Sequence, residues 1–383
     1  MHIFVPRESK AGERRVAIVP DVIAKYLRAG FSVSVEGGAG VHALADDESL
    51  RSAGATIASA SEISKADVVL SVNPLTAEQF SQLKNGAITI SFLSPNQSLD
   101  AISASAKVGA TSFSLELVPR ISRAQSMDAL TSQALCAGYR AALVAAELAP
   151  RFFPLLMTAA GTVTPANVVV LGAGVAGLQA IATARRLGAV VSAYDVRPAS
   201  ADEVRSMGAT FIDLQLEALD GAGGYAREMS EERAAKQREL LTPYLANADV
   251  VITTAAVPGR PAPRLVTEEM VAAMKPGAVV VDLAAESGGN VAGSTPGEIT
   301  ERNGVRIWGG KDVPSQLPFH ASQLFAKNCM NLLMLMVKSE EGKSSLHLDF
   351  GDEIIAASAV THQGEVRHEG AKASLANSSG GAR

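Results

Sequence analysis

The chain has 383 residues, with 34 basic against 39 acidic side chains and a formal net charge of -5. That length exceeds one hydrophobic core and predicts two domains, while the acidic balance argues against a nucleic-acid partner. Cys136 and Cys329 lie too far apart for a thiol redox pair or a zinc site, the histidines show no ligand spacing, and the opening MHIFVPRESK lacks a signal-peptide apolar core, so a reducing, soluble setting is expected.

Residues 2–5 read as a strand, and 7–15 as a charged loop in which Arg14 and Arg15 either bind an anion or make local ion pairs. A helix over 21–28 stops at Gly30, a strand covers 32–36, and a helix over 46–53 closes at Gly54. Strands follow at 67–72 and 87–92, then a helix near 99–108 and a strand at 111–115. This alternation predicts a doubly wound α/β domain. Its strand ends carry Ser71, Asn73 and Ser94, none of them a strong acid or base.

The segment 118–133, VPRISRAQSMDALTSQ, is denser in hydrogen-bonding groups than a solvent loop requires. Asp128 is placed to cap the long Ala-rich helix expected over 133–149. Alternatively the loop borders a nicotinamide, with Arg120 and Asp128 paired and Gln125 offering its amide to a ribose or carboxamide. The residues alone leave both readings open. Gly161, Pro165 and an absence of charge then suggest a tight, buried turn leading into a second sheet.

The most informative stretch is VVVLGAGVAGLQAIATARRLGAVVSAYD, residues 168–195. An apolar strand, a glycine turn, a helix and a second apolar strand (190–194) occur in order and end on an acid. Gly172 permits the tight turn, Gly174 removes the side chain that would hold a pyrophosphate off the backbone, and Gly177 lets helix and sheet approach. The pyrophosphate would lie over the helix start at Val175 and Ala176. Asp195 is placed to accept hydrogen bonds from the adenosine ribose and to repel a 2′-phosphate, which favours NAD(H). Arg197 stands where a 2′-phosphate is often cradled; it tempers that preference, and can equally lie over the adenine or face solvent.

A helix over 199–206 and a short strand over 209–213 follow. Residues 216–239 depart from a minimal repeat: glycines flank Tyr225, which suggests a mobile flap. The strand over 249–255 ends at Thr254 and Ala255, where nucleotide rings pass in this fold class. A helix over 266–274, with Thr267 as its cap, precedes strands at 278–283 and 305–308; Asp282 and Glu286 receive no role. The Met- and Leu-rich helix over 317–338 reads as buried packing against the first domain. The apolar stretch 326–337 within it is shorter than the roughly 20 residues a bilayer span needs. The tail can dock through Ile354 and Ile355 and then frays.

VPRISRAQSMDALTSQ, VVVLGAGVAGLQAIATARRLGA, GGYAREMSEE, PGRPAPRLVTEEMV and DVPSQLPFHASQLFAKN together resemble the soluble NAD(H)-binding alpha-1 component of bacterial proton-translocating NAD(P)+ transhydrogenases, relatives of the alanine dehydrogenases. The resemblance covers residues 1–348 and some of the tail. It implies an α/β fold of two Rossmann-like doubly wound domains with an intervening cleft, the nucleotide domain inserted in a discontinuous first one. The expected boundaries are 1–135, 136–315 with a mobile loop at about 216–232, 316–348 returning to the first domain, and a partly flexible extension at 349–383.

It further implies that Arg120, Gln125, Asp128, Thr131 and Tyr225 serve the nicotinamide side. Gly172, Gly174, Val175, Ala176, Gly177, Asp195, Arg197, Thr254 and Ala255 would hold the rest of NAD(H), with no metal. The expected partners are a second copy, an NADP(H)-binding beta subunit domain and membrane-spanning transhydrogenase subunits, at the cytoplasmic face of the inner membrane. The expected reaction is hydride transfer from NADH to NADP+ on the partner. An alanine dehydrogenase is the nearest alternative. Those relatives carry Lys and His where this chain places Ser71 and Ser94, and the chemistry needs such groups. A module that only senses NAD is a further alternative.

Overall fold

The computed structural model describes residues 1–216, 230–256, 260–340 and 343–380. Strand β1 (His2–Val5), with Ile3, Phe4 and Val5 fully buried, enters the middle of a sheet. Helix α1 (Pro20–Arg28) starts at Pro20, where no intrahelical amide bond is lost. It buries Val22, Ile23 and Tyr26. Next come β2 (Ser32–Glu36), α2 (Asp47–Ser52) and β3 (Thr56–Ala58); Asp46 caps α2 by accepting from the Ser49 amide at 2.8 Å. Strand β4 (Val68–Leu70) precedes α3 (Ala77–Ser81), which opens on a Thr76/Gln79 capping box. Strand β5 (Ile88–Ser91), α4 (Leu99–Lys107) and β6 (Thr111–Ser114) complete the alternation. The six strands pair in parallel in the order β6-β5-β4-β1-β2-β3. Their apolar runs are those of strands covered on both faces.

Helix α5 (Ala129–Leu148) carries the chain into a second compact unit, Ala134–Pro314; the first comprises Met1–Gln133 and Ser315–Arg383. Strands β7 (Leu156–Thr158) and β8 (Gly161–Val163) form an antiparallel hairpin. The sequence suggested a buried turn here, and the structure corrects that: Met157 is 81% and Leu155 55% exposed. The missing charge marks an apolar outer face, not an interior.

Strand β9 (Asn167–Leu171), α6 (Val175–Arg186), β10 (Val190–Tyr194), α7 (Ser200–Ser206) and β11 (Thr210–Phe211) form the first half of the second sheet. The other half contains α8 (Glu231–Asn247), β12 (Val250–Thr253), α9 (Glu268–Ala272), β13 (Val279–Asp282), β14 (Ile299–Arg302) and β15 (Val305–Gly309). The order is β11-β10-β9-β12-β13-β15-β14, with β14 antiparallel to β15. Chain order reverses at β9, and open α/β sheets bind ligands at such a switch point, beyond the carboxyl ends of the strands.

The chain then returns to the first unit. Helix α10 (Pro318–Leu335) buries Phe325, Cys329, Leu332 and Leu333 in the same core as Ile3, Val5 and Val33. Strands β16 (Val337–Glu340) and β17 (Lys343–Leu346) pair as a hairpin. Helix α11 (Glu353–Ser358), β18 (Ala359–His362), β19 (Glu365–Val366) and α12 (Glu369–Gly380) follow. The expected fraying tail is therefore corrected through residue 380. Strand β18 lies antiparallel beside β6 and extends the sheet to eight strands, and Ile354 and Ile355 are core residues. A buried hydroxyl chain ties it in, Ser105 meeting Ser112 at 2.6 Å and Thr361 at 2.8 Å. Among the described residues, no helix is long and apolar enough to cross a membrane.

The loop after β1 settles the two readings of Arg15 in favour of an internal pair. Its Nε and Nη2 donate to the buried Glu13 carboxylate at 2.8 and 2.6 Å, and its Nη1 donates to Gln133 at 2.9 Å. Burial alone would raise the Glu13 pKa, but the Arg15 hydrogen bonds and charge, with Ser315 and Asn73, hold it at about 2 against an ordinary 4.5. A depressed carboxyl pKa contributes stability that is complete above 4.5 and lost as pH falls toward 2. Glu13→Gln should cost about 3–5 kcal/mol at pH 7 in urea unfolding, because it leaves a buried arginine unpaired. The gap to wild type should narrow on acidification below 4.5; an unchanged midpoint at pH 7 would refute the assignment.

Candidate nucleotide-binding site

The glycine turn between β9 and α6 is fixed by three close approaches. Gly172 has φ +101°, a conformation L side chains rarely adopt. A Cβ on Gly177 would sit 1.9 Å from the Gly172 carbonyl oxygen, so helix and turn meet backbone to backbone. A Cβ on Gly138 of α5 would lie 2.0 Å from the Ala176 carbonyl oxygen, which seats α5 directly on the start of α6. A Cβ on Gly174, by contrast, would meet nothing within 4 Å. The turn is packed tightly beneath and open above. No side chain caps α6, and the amides of Val175 and Ala176 in its first turn have no intrahelical acceptor. Such a surface accommodates a pyrophosphate, so the residues present fit a dinucleotide.

Asp195 follows β10 directly. Its Oδ2 accepts from the Ala173 amide at 2.7 Å, which ties the carboxylate to the turn, and its Oδ1 accepts from the Arg197 amide at 2.9 Å. The Arg197 guanidinium folds back on the same carboxylate, with Nε to Oδ1 and Nη2 to Oδ2 both at 2.9 Å. Burial would raise the Asp195 pKa, but the Arg197 side chain and the two amides outweigh it and hold the carboxyl below its ordinary range. Asp195 is a fixed anion.

Thr254 and Ala255 support the turn from the end of β12. The Thr254 hydroxyl donates to the Gly172 carbonyl at 3.1 Å. Asn290 holds Ala255 on both sides of its backbone: its Oδ1 accepts the Ala255 amide at 3.0 Å, and its Nδ2 donates to the Ala255 carbonyl at 2.8 Å. Asp282 is fully buried and accepts from the Thr253 hydroxyl and the Ala284 amide, both at 3.0 Å. Sequence reasoning left Asp282 without a role and passed over Asn290; the structure makes both of them braces beneath the site.

The other predicted cluster lies in the first unit. Asp128 precedes α5, and its Oδ1 accepts from the Thr131 amide at 2.8 Å and its Oδ2 from the Thr131 hydroxyl at 2.7 Å, so it acts as the helix cap. Gln125 and Arg120 are exposed. Two residues of α10 that the sequence did not single out, Asn328 and Asn331, each donate to the Ser126 carbonyl at 2.9 Å and brace this loop. Arg123 pairs with Asp352 at 2.6 Å. Tyr225, and most of the loop expected at 216–232, lie outside the described residues. The strand-end serines have local partners: Ser71 donates to the Asn73 carbonyl at 2.7 Å, and Ser94 meets Glu116 at 3.3 Å. Among the described residues, no group of His, Cys, Asp and Glu is arranged to hold a metal ion.

Comparison with known proteins places this geometry. An NAD(P) transhydrogenase subunit alpha of Rhodospirillum rubrum is 49% identical over 378 residues, covering 96% of this chain and 98% of that protein. An alanine dehydrogenase of Mycobacterium tuberculosis is 34% identical over 77% of this chain and 76% of its own length. The crystal structure of a transhydrogenase from Sinorhizobium meliloti superposes with a TM-score of 0.85 at 45% identity, covering 96% of this chain and 99% of that one. An L-alanine dehydrogenase structure, 23% identical, shares the fold with a TM-score of 0.81. The family models for the alanine dehydrogenase/PNT N-terminal and C-terminal domains match residues 4–137 and 141–369, and the chain belongs to the alanine dehydrogenase/PNT family.

Proposed function

We propose that this chain is the NAD(H)-binding component of a proton-translocating NAD(P)+ transhydrogenase. It would hold NADH for direct hydride transfer to NADP+ carried by a partner subunit, with proton movement through separate membrane components. The observation that carries the reading is the braced turn at Gly172, open above Gly174 and closed on a fixed carboxylate at Asp195, in a chain 49% identical to a transhydrogenase subunit over nearly its whole length.

The roles of the chain's own residues follow from that reading. The turn amides of Gly174, Val175 and Ala176 bind the pyrophosphate, and Asp195 accepts the adenosine ribose hydroxyls. Gln125 and Asp128, with Arg120 and Thr131 in the same loop, orient the nicotinamide half. The reduced nicotinamide itself supplies the hydride. No proton donor is needed at the reacting carbons, which suits strand ends that carry Ser71 and Ser94 where an alanine dehydrogenase places basic groups. Catalysis is then positioning: two rings held within about 3 to 3.5 Å with faces aligned gain much of their rate from orientation alone.

The exposed apolar hairpin of β7 and β8 supports the proposal of a homodimer, since a contiguous apolar surface is an interaction surface more often than a solvated one. The partners proposed are an NADP(H)-binding beta subunit and membrane-spanning subunits, and the complex would sit at the cytoplasmic face of the inner membrane.

Mixed with a cognate NADP(H)-binding subunit, the chain should transfer hydride between nucleotide analogues, and alone it should not oxidise NADH with pyruvate and ammonia. Turnover with pyruvate and ammonia would instead support the alanine dehydrogenase reading, and NADH binding with no transfer would support a sensing module. Asp195→Ala should weaken NADH binding about tenfold or more, because charge-assisted hydrogen bonds to the ribose are lost; an unchanged dissociation constant removes the ribose assignment. Gln125→Asn should slow single-turnover transfer more than it weakens binding, and equal damage to both would mean a purely structural loop. Met157→Asp should shift the chain toward monomer in analytical ultracentrifugation if the hairpin is a dimer contact.

A further inference from the structure

The acceptor positions that an adenosine ribose requires are already filled. A carboxylate offers about four lone-pair positions. On Asp195, Oδ1 accepts from the Arg197 amide and Nε, and Oδ2 accepts from the Ala173 amide and the Arg197 Nη2, at 2.7 to 2.9 Å. The two backbone donors belong to the turn and the strand end and cannot leave without undoing both. The other two belong to one long side chain. Arg197 is 22% exposed against 7% for Asp195, so the guanidinium has a route into solvent and the carboxylate does not. A cavity lined by Tyr194, Val196, Pro198, Ala201 and Leu214 opens beside the same carboxylate, so there is room next to the pair.

We propose that Arg197 is an internal competitor for the ribose site, displaced from Asp195 whenever NAD(H) binds, and so a positioning residue that sets nucleotide affinity. This rests on the reading of the second unit as the NAD(H) site. The pair is bidentate and charge-assisted, the stronger kind of hydrogen-bonded contact. Breaking it before the ribose hydroxyls are accepted makes binding weaker than the carboxylate alone would allow. That suits a carrier whose product is the oxidised form of its own ligand. The adenosine end is common to both forms, so a tight grip there would retard release, and product release limits many enzymes.

The test is calorimetric titration of the full chain with NADH and with ADP-ribose, which has the adenosine ribose and no nicotinamide. Arg197→Ala should bind both ligands about 5- to 30-fold more tightly, the range that one disrupted pair of this kind spans. Arg197→Gln, which keeps the bulk and a neutral donor, should give a fraction of that gain and serves if the alanine variant fails to fold. In an Asp195→Ala background the Arg197→Ala change should do nothing, because the competitor has lost what it competes for.

Weaker binding of Arg197→Ala in both backgrounds would mean that the arginine touches the nucleotide directly, and would overturn the proposal. Weaker or unchanged binding in the native background alone, with Asp195→Ala still impaired, overturns the competitor role and leaves the ribose assignment standing. Normal NADH binding by Asp195→Ala removes both.

Discussion

The carbonyl oxygen of Gly172 is the point on which the nucleotide unit closes. From β12, the Thr254 hydroxyl donates to it at 3.1 Å; from α6, Gly177 approaches so nearly that a Cβ would stand 1.9 Å away. The amide of the same residue donates to the Tyr194 carbonyl at the end of β10, at 2.8 Å. Three adjacent elements are thus joined through one residue's backbone, and the open face above Gly174 is shaped by backbone contacts alone. A binding surface built this way does not have to be ordered when its ligand arrives, which removes one of the larger entropic penalties of association.

Buried carboxylates do the same work elsewhere, as acceptors for amides at strand ends. In the first unit Glu8 accepts from the Val72 and Asn73 amides at 2.6 and 3.1 Å, and Glu116 accepts from those of Leu93 and Ser94 at 3.0 and 2.9 Å. Burial raises the Glu8 pKa, against hydrogen bonds that lower it. These are the strand ends at which an amino-acid dehydrogenase needs groups that exchange protons with a substrate. Here the acids are turned inward onto backbone and the serines have local partners. The first unit is thereby equipped to hold a loop in place, and hydride transfer between two nucleotides asks for little more.

How far this was legible in the sequence depended on the distance between interacting residues. Strands β2 and β10 coincide with their expected spans because short apolar runs bounded by glycine or acid announce buried parallel strands. The turn and Asp195 were legible for the same reason, since the whole motif lies within one βαβ unit. Strand β3 and helix α3 were not foreseen, being three and five residues long. The tail misled because its sheet contact runs through Thr361, Ser105 and Ser112, polar residues that satisfy one another only once folded. Asn290 gave no signal, because Ala255 is 35 residues away in sequence. Arg197 was visible as a residue, but nothing local distinguishes an arginine lying over an adenine from one chelating the acid two positions earlier.

That chelate also bears on how two nearly identical nucleotides are kept apart. NADH and NADPH differ at the adenosine 2′ position, where a hydroxyl donor is replaced by a phosphate that can only accept. Unit charges about 4 Å apart interact by about 4 kcal/mol at the effective dielectric of a protein surface. Asp195 stays ionised because its donors depress its pKa, so a 2′-phosphate would meet repulsion and would find no hydroxyl to give in return. An arginine two residues further on would ordinarily offset that repulsion. Here its Nε and Nη2 already donate to Asp195, and the pair presents little net positive charge to an incoming anion. Drawing Arg197 toward a phosphate would strip the buried carboxylate of two charge-assisted donors while bringing a second anion beside it. The same ion pair that competes with a ribose therefore opposes a ribose phosphate more strongly, and the preference for NAD(H) follows from the two residues acting together, not from Asp195 alone.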